Sequence, residues 1–174
     1  ISRGECDFGS GFYMGTNTLQ PLTLICNEDK PRFYTVELDI AGLKVLNVEI
    51  GMDWAMLIAY YRKEMESARG TAIYEKYAHM ADGYDIIIGY IANDRMYTEL
   101  SRFFNKTLTD VALINCLSAL DLGKQYVAIS EKACKRIKIL KEEPLSNLEL
   151  SLLKDMSAQR RKEGIALAEE IEVK

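Results

Sequence analysis

The nine residues DFGSGFYMG (7–15) restrict the fold more than any other stretch of the chain. Three glycines and a serine stand around the Phe12–Tyr13 pair, and a polar Thr16-Asn17-Thr18 follows. Glycine at this density lets the backbone take positive φ angles and lets another group come close to the main chain. Two readings are open. In one, the stretch is a tight turn into a short strand, with Phe12 and Tyr13 in the core. In the other, an aromatic ring held at the edge of the loop stacks on a flat heterocycle.

Downstream, strands and helices follow one another without a regular βαβ alternation. RFYTVELD (32–39) alternates, with Tyr34, Val36 and Leu38 on one face, and LKVLNVEI (43–50) reads as a second strand. Asp53 is expected to cap a helix running to about Ser67, with Trp54, Leu57, Ile58 and Tyr61 at helical spacing. A shorter helix over 72–81 stops before Asp82-Gly83, and YDIIIG (84–89), apolar and β-branched, predicts a buried strand. Asn93 or Asp94 is placed to cap a helix over RMYTELSRFF, and Thr109 to cap the next. QYVAIS (125–130) returns to strand, SEKAC begins as a turn of helix, and RIKIL (136–140) reads as a further strand.

After Pro144 the character changes. Ser146 and Glu149 form a capping box, and the chain then runs as one amphipathic helix. Leu145, Leu148, Leu152 and Met156 form one apolar stripe and Ile165, Ala168 and Ile171 another, with Gly164 weakening the middle. The expected class is α+β, with a domain over 1–143 and a C-terminal helix over 144–174 that packs back on it.

Charge and rare residues narrow the chemistry. A chain of 174 residues buries a core without staples, and its net charge of −4 gives no general basic surface for nucleic acid. Cys6, Cys26, Cys116 and Cys134 are scattered, and with a single histidine no metal site is expected. Thiols in a chain of this length favour a reducing cytoplasm. No apolar run approaches the roughly 20 residues of a membrane span, so no membrane partner is expected. His79 has no Ser-His-Asp or Cys-His surroundings and receives no role. The GSG of the opening motif is followed by Phe-Tyr rather than a helix, unlike a dinucleotide fingerprint. Arg160-Arg161-Lys162 and the basic run at 132–141 read most simply as solvated faces, with contact to an anionic partner as the alternative. Ala92-Asn93-Asp94 lies between a strand and a helix, where short polar side chains cap backbone N–H groups and where anionic or ribose-bearing ligands are also held.

FGSGFYM resembles the second signature of the diphtheria-toxin-like and poly(ADP-ribose) polymerase group of ADP-ribosyltransferases, glycine-x-glycine-aliphatic-tyrosine-aromatic. KQYVAIS resembles that group's third signature, a strand of the form Glu-Tyr-apolar-apolar, and the catalytic glutamate position falls on Gln125. More closely, residues 4–142 are similar to a bacterial family of small, uncharacterised ADP-ribosyltransferase-like proteins, a domain of unknown function. The likeness lies at DFG-x-GFY, at YDIIIGYIAND and at the glutamine-led last strand. The resemblance implies two packed antiparallel sheets with peripheral helices, and NAD as co-substrate. It puts Tyr13 on the nicotinamide, Gly11 and Phe12 around the pocket, Gln125 on the nicotinamide ribose, and Asn93 and Asp94 near the cleft. The activity implied is NAD-dependent ADP-ribosyl transfer to an unknown macromolecular acceptor. The alternative is a catalytically silent NAD- or nucleotide-binding or protein-interaction module of the same fold. The resemblance also suggests an inhibitory partner, or a second copy of the chain, on the C-terminal helix.

Two departures stand out. The group's first signature would lie upstream of Asp7, and none of the six residues there fits it. Gln125 replaces a glutamate whose carboxylate would stabilise an oxocarbenium-like state while holding a ribose hydroxyl, and an amide supplies the hydrogen bond without the charge. Glu131, past the end of that strand, is not expected to substitute for it.

Overall fold

The computed structural model describes residues 6–92, 95–119 and 122–172. Among them, four strands make one mixed sheet in the order β1 (Phe12–Gly15), β5 (Lys124–Ala128), β4 (Ile86–Tyr90), β3 (Val45–Val48). β1 and β4 both run antiparallel to β5, and β4 runs parallel to β3. A parallel pair needs a crossover, and α2 (Met52–Tyr61) and α3 (Ala72–Ala78) supply it. β2 (Arg32–Leu38) and β6 (Ile137–Pro144) form a separate antiparallel ribbon with an irregularity between Thr35 and Val36. The strands expected at 32–39 and 43–50 are therefore present but belong to different sheets.

The two faces of the main sheet are covered differently. One carries Val48, Ile87 and Val127 under the helices, with Trp54 of α2, Leu100 of α4 (Met96–Phe104) and Leu113 of α5 (Asp110–Leu117) all fully buried. The other carries Ile86, Ile88 and Ala128 under α6 (Glu131–Cys134) and the ribbon residues Leu38 and Ile137. α2 is the central helix: residues 54 to 59 are all buried, a helix apolar all round, and Trp54 Nε1 donates to the Tyr90 carbonyl at 2.9 Å. The mixed α+β class and the presence of two sheets agree with expectation, while the parallel β3–β4 pair departs from the antiparallel sheets that the resemblance implied.

Several boundaries differ for identifiable reasons. α2 starts at Met52 behind Gly51, and Asp53 lies inside its first turn, accepting from Lys76 Nζ at 2.6 Å and Tyr77 Oη at 2.9 Å. Its side chain is spent on tying α2 to α3 rather than on capping. α2 also stops at Tyr61, six residues short of the predicted end, in a Schellman turn: Lys63 takes φ 62°, its N–H reaches Tyr60 O, and the Glu64 N–H reaches Ala59 O. No glycine marks that stop. α1 (Leu19–Ile25) has no counterpart in the sequence reading, because it is short and carries Pro21 in its first turn.

The C-terminal helix, α7 (Asn147–Glu172), begins at the predicted capping box: Glu149 N–H donates to Ser146 Oγ, and the Glu149 carboxylate accepts from Ser146 N–H at 2.8 Å. It packs on α1 and α5. The face it buries is not the predicted stripe. Leu153 and Gly164 are buried and Leu150, Ser157 and Arg160 half-buried, whereas Leu148, Leu152 and Met156 are exposed.

Register explains one glycine. Gly89 of β4 faces Gln125 of β5, and the buried Phe8 ring lies directly over it, where any Cβ would overlap Phe8 Cζ. Overpacking of this kind costs about 1–3 kcal/mol. Gly89→Ala is expected to lower the unfolding free energy by that amount, read as a lower urea midpoint at unchanged m-value. An unchanged midpoint would show that Phe8 is not held there.

Candidate functional site

β1 is an edge strand, bonded to β5 alone. Along its open side runs a cavity of about 820 Å³ lined by all four β1 residues, by Pro21 and Leu24 of α1, by Tyr34 and Val36 of β2, and by Gln125. α7 closes another side with Ser157, Arg160 and Arg161. The β1–β5 register sets Tyr13 opposite Val127 and Gly15 opposite Gln125. Directly paired residues project to the same face, so Tyr13 and Gln125 share a face of the sheet.

The floor is a buried polar cluster. Asp7 and Gln125 are only 5% and 8% exposed, and besides them Glu99 is the other buried polar or charged residue among those described. Asp7 Oδ1 accepts from Arg62 Nη2 at 2.7 Å and Nε at 3.1 Å, and Asp7 Oδ2 accepts from Gln125 Nε2 at 2.9 Å. Arg62 Nη1 also donates to Tyr97 Oη at 3.1 Å. Burial opposes the guanidinium's charge, but the Asp7 carboxylate outweighs it and raises Arg62 above its ordinary value. The Schellman turn is what delivers Arg62 to this point, as the residue capping α2.

Asp7 fixes the orientation of Gln125. An ionised carboxylate only accepts, so the amide must turn its NH₂ toward Asp7 and its carbonyl away. Gln125 thereby offers an acceptor, the same group a glutamate would offer a hydroxyl. A glutamate at this position would instead set two carboxylates side by side, where like charges disfavour ionisation.

Tyr13 serves two purposes. Its ring lines the cavity and packs on the core, and its hydroxyl accepts from the Phe8 N–H at 3.0 Å and donates to the Gly9 carbonyl at 2.7 Å. Burial pushes the phenol well above its ordinary range. Tyr13 is therefore half-buried, packed on the core as the first reading expects while also lining the cavity. Gly9 holds φ 74° beneath the Tyr61 ring, where only glycine fits easily. Gly11 is buried against β5, its hypothetical Cβ 2.5 Å from Val127 Cγ1, and so brings the loop down onto the strand behind the cavity. Phe12 stands at the wall, 38% exposed. Asn93 and Asp94 lie outside the described residues. His79 is exposed and bound to Asp82 at 2.8 Å, which raises it above the usual histidine value. Glu131 is exposed and pairs with Lys135.

Among the cavity residues that escaped the sequence reading as site residues are Asp7, Arg62, Arg160 and Arg161. Asp7 was visible inside the motif, but nothing in its spacing announced a partner 55 positions on. Arg160 and Arg161, expected on a solvated face, line the cavity because α7 packs on a face rotated from the Leu145–Leu148–Leu152–Met156 stripe.

A family model described as "Protein of unknown function (DUF3990)" matches residues 1–139, and the chain belongs to that family. No curated protein and no solved structure matches it.

The buried cluster predicts how Gln125→Glu behaves. The new carboxyl, beside Asp7, holds a proton to higher pH in the folded than in the unfolded chain. A raised folded value means stability present at low pH and lost as pH rises through that value. The variant is expected to be about 1–3 kcal/mol less stable than the parent at pH 7, with the gap narrowing toward pH 5 in urea titrations. A gap independent of pH between 5 and 8 would show that the two carboxyls do not interact.

Proposed function

We propose that the chain is an NAD-dependent ADP-ribosyltransferase, or a close relative of one, acting on a macromolecular acceptor. The observation that supports this is the pairing of β1 with β5. The tyrosine and glutamine picked out by the resemblance are far apart in sequence, yet they share one face of two bonded strands and line one cavity.

Each residue has a part that fits its surroundings. The Tyr13 ring, pinned by its hydroxyl to the Phe8–Gly9 backbone, is a fixed surface for a planar ring to stack on. The Gln125 carbonyl, aimed by Asp7, accepts a ribose hydroxyl. Transfer breaks the bond between the ribose C1 and the nicotinamide nitrogen, and nicotinamide leaves with the electron pair. The acceptor's nucleophile bonds to C1 and releases its proton to solvent. Positive charge on the ribose meets the Asp7 carboxylate only at second hand, through the Gln125 amide, and Arg62 already offsets that carboxylate.

That charge balance favours a second reading, a nucleotide-binding module without turnover. Binding is left intact by an amide at position 125, while stabilisation of an oxocarbenium-like state is weakened.

Incubation with NAD labelled in the adenylate decides between them. The transferase reading expects nicotinamide release and label on a macromolecule. Gln125→Ala should cut the rate by about 100-fold. Tyr13→Phe, which keeps the ring and loses the loop anchor, should retain more activity than Tyr13→Ala. NAD binding measured by calorimetry, with no nicotinamide released, would establish the silent module instead. Absence of both binding and release would remove NAD from the cavity altogether.

A further inference from the structure

The family match ends at residue 139, before α7 begins at Asn147, yet α7 walls the cavity. Ser157, Arg160 and Arg161 stand at i, i+3 and i+4, which puts all three on one helical patch that lines the cavity, with Ser157 and Arg160 half-buried and Arg161 exposed. Among the described residues the cavity lining holds four guanidinium groups, from Arg32, Arg62, Arg160 and Arg161, and one carboxylate, from Asp7. This is a strongly cationic hollow in a chain whose net charge is −4.

The charges are unequally committed. Asp7 is engaged with Arg62, and Arg32 pairs with Glu142. Arg160 is half-buried and enters no ion pair among the described residues. A guanidinium that has given up water without meeting an anion is poised for one. Adjacent arginines fit the several oxygens of a phosphate better than they fit a single carboxylate. Phe12 and Tyr34, both exposed and both lining the cavity, add aromatic surface for a base, and about 820 Å³ has room for a nucleotide.

We infer that α7 is a working wall of the cavity, on which Arg160 and Arg161 hold the phosphates of a free nucleotide. The inference rests on reading the cavity as a nucleotide site, and not on transfer taking place there. Phosphate recognition then comes from a helix outside the family-matched residues, while the groups proposed for the ribose and nicotinamide come from within them.

The test is calorimetric titration of the full chain with ADP and with adenosine, at low and at moderate salt. ADP is expected to bind at least tenfold more tightly than adenosine, with an affinity that falls as salt rises. Replacing Arg160 and Arg161 together by alanine should weaken ADP about ten- to a hundredfold and leave adenosine unchanged. Lys162→Ala, on the exposed side of the helix, should change neither. Arg160→Gln keeps most of the side chain's packing and removes the charge, so it carries the same test should the double variant fold poorly by circular dichroism. Equal affinity for ADP and adenosine, or an unaltered ADP affinity in the arginine variants, would overturn the assignment. So would displacement of ADP by a single-stranded oligonucleotide that binds more tightly, since the phosphates would then belong to a polymer. ADP carries no nicotinamide, so the two readings fail separately. Tight ADP binding with intact NAD sinks the transferase and keeps the wall, whereas undiminished NAD cleavage and ADP binding in the arginine variants do the reverse.

Discussion

One carboxylate joins three distant pieces of chain at the cavity floor. Asp7 brings the N-terminal loop, Arg62 the end of α2, and Gln125 the strand β5, and all three meet within hydrogen-bond distance. Asp7 is nearly inaccessible to water, so the contact is both strong and demanding: removing one member leaves the others desolvated and unanswered, at about 3 kcal/mol. The loop cannot leave without exposing Phe8, which covers Gly89 on the neighbouring strand. Polar cluster and apolar cover are therefore one unit, and the glycines of 7–15 are what let the loop lie close enough to form it.

Seen from Asp7, the glutamine at 125 loses its oddity. A carboxylate there would have to share a buried site with Asp7, whereas an amide donates to Asp7 and still presents an oxygen outward. The negative charge that the resemblance leads one to seek on β5 stands one residue away in space, on the loop, with Arg62 against it. In the proposed site, binding geometry and charge are divided between two side chains. A cavity built this way favours holding a ligand over stabilising developing positive charge, unless something withdraws Arg62 from Asp7.

Local signals were legible in the sequence and long-range ones were not. The strands at 32–39, 84–89 and 125–130, the Thr109 cap and the Ser146–Glu149 box all rest on short-range patterns, and each is present. The end of α2 was hidden because lysine, not glycine, takes the left-handed position. The separation of β2 from β3 was hidden because β2 finds its partner more than 90 residues later, in β6. α7 misled most. Its predicted stripe advertises one face, but the space beside α1 and α5 takes Leu153 and Gly164, and this choice puts the arginines on the cavity. In the site, Tyr13 and Gln125 were found through motif likeness, while Asp7, Arg62, Arg160 and Arg161 depend on tertiary packing that no local pattern encodes.

The same helix protects the weakest edge of the fold. β1 is four residues long and bonded on one side only, and an open strand edge is a template for unwanted pairing. Here α1 packs against β1 and α7 packs against α1, so the edge faces a cavity that these helices partly wall off. α7 thus has a structural duty, carried by Leu153 and Gly164, and a chemical one, carried by Arg160 and Arg161. The two duties sit on interleaved positions of one helical face. Loss of the whole helix would remove both together, and only changes at single side chains can tell the packing role from the charge role.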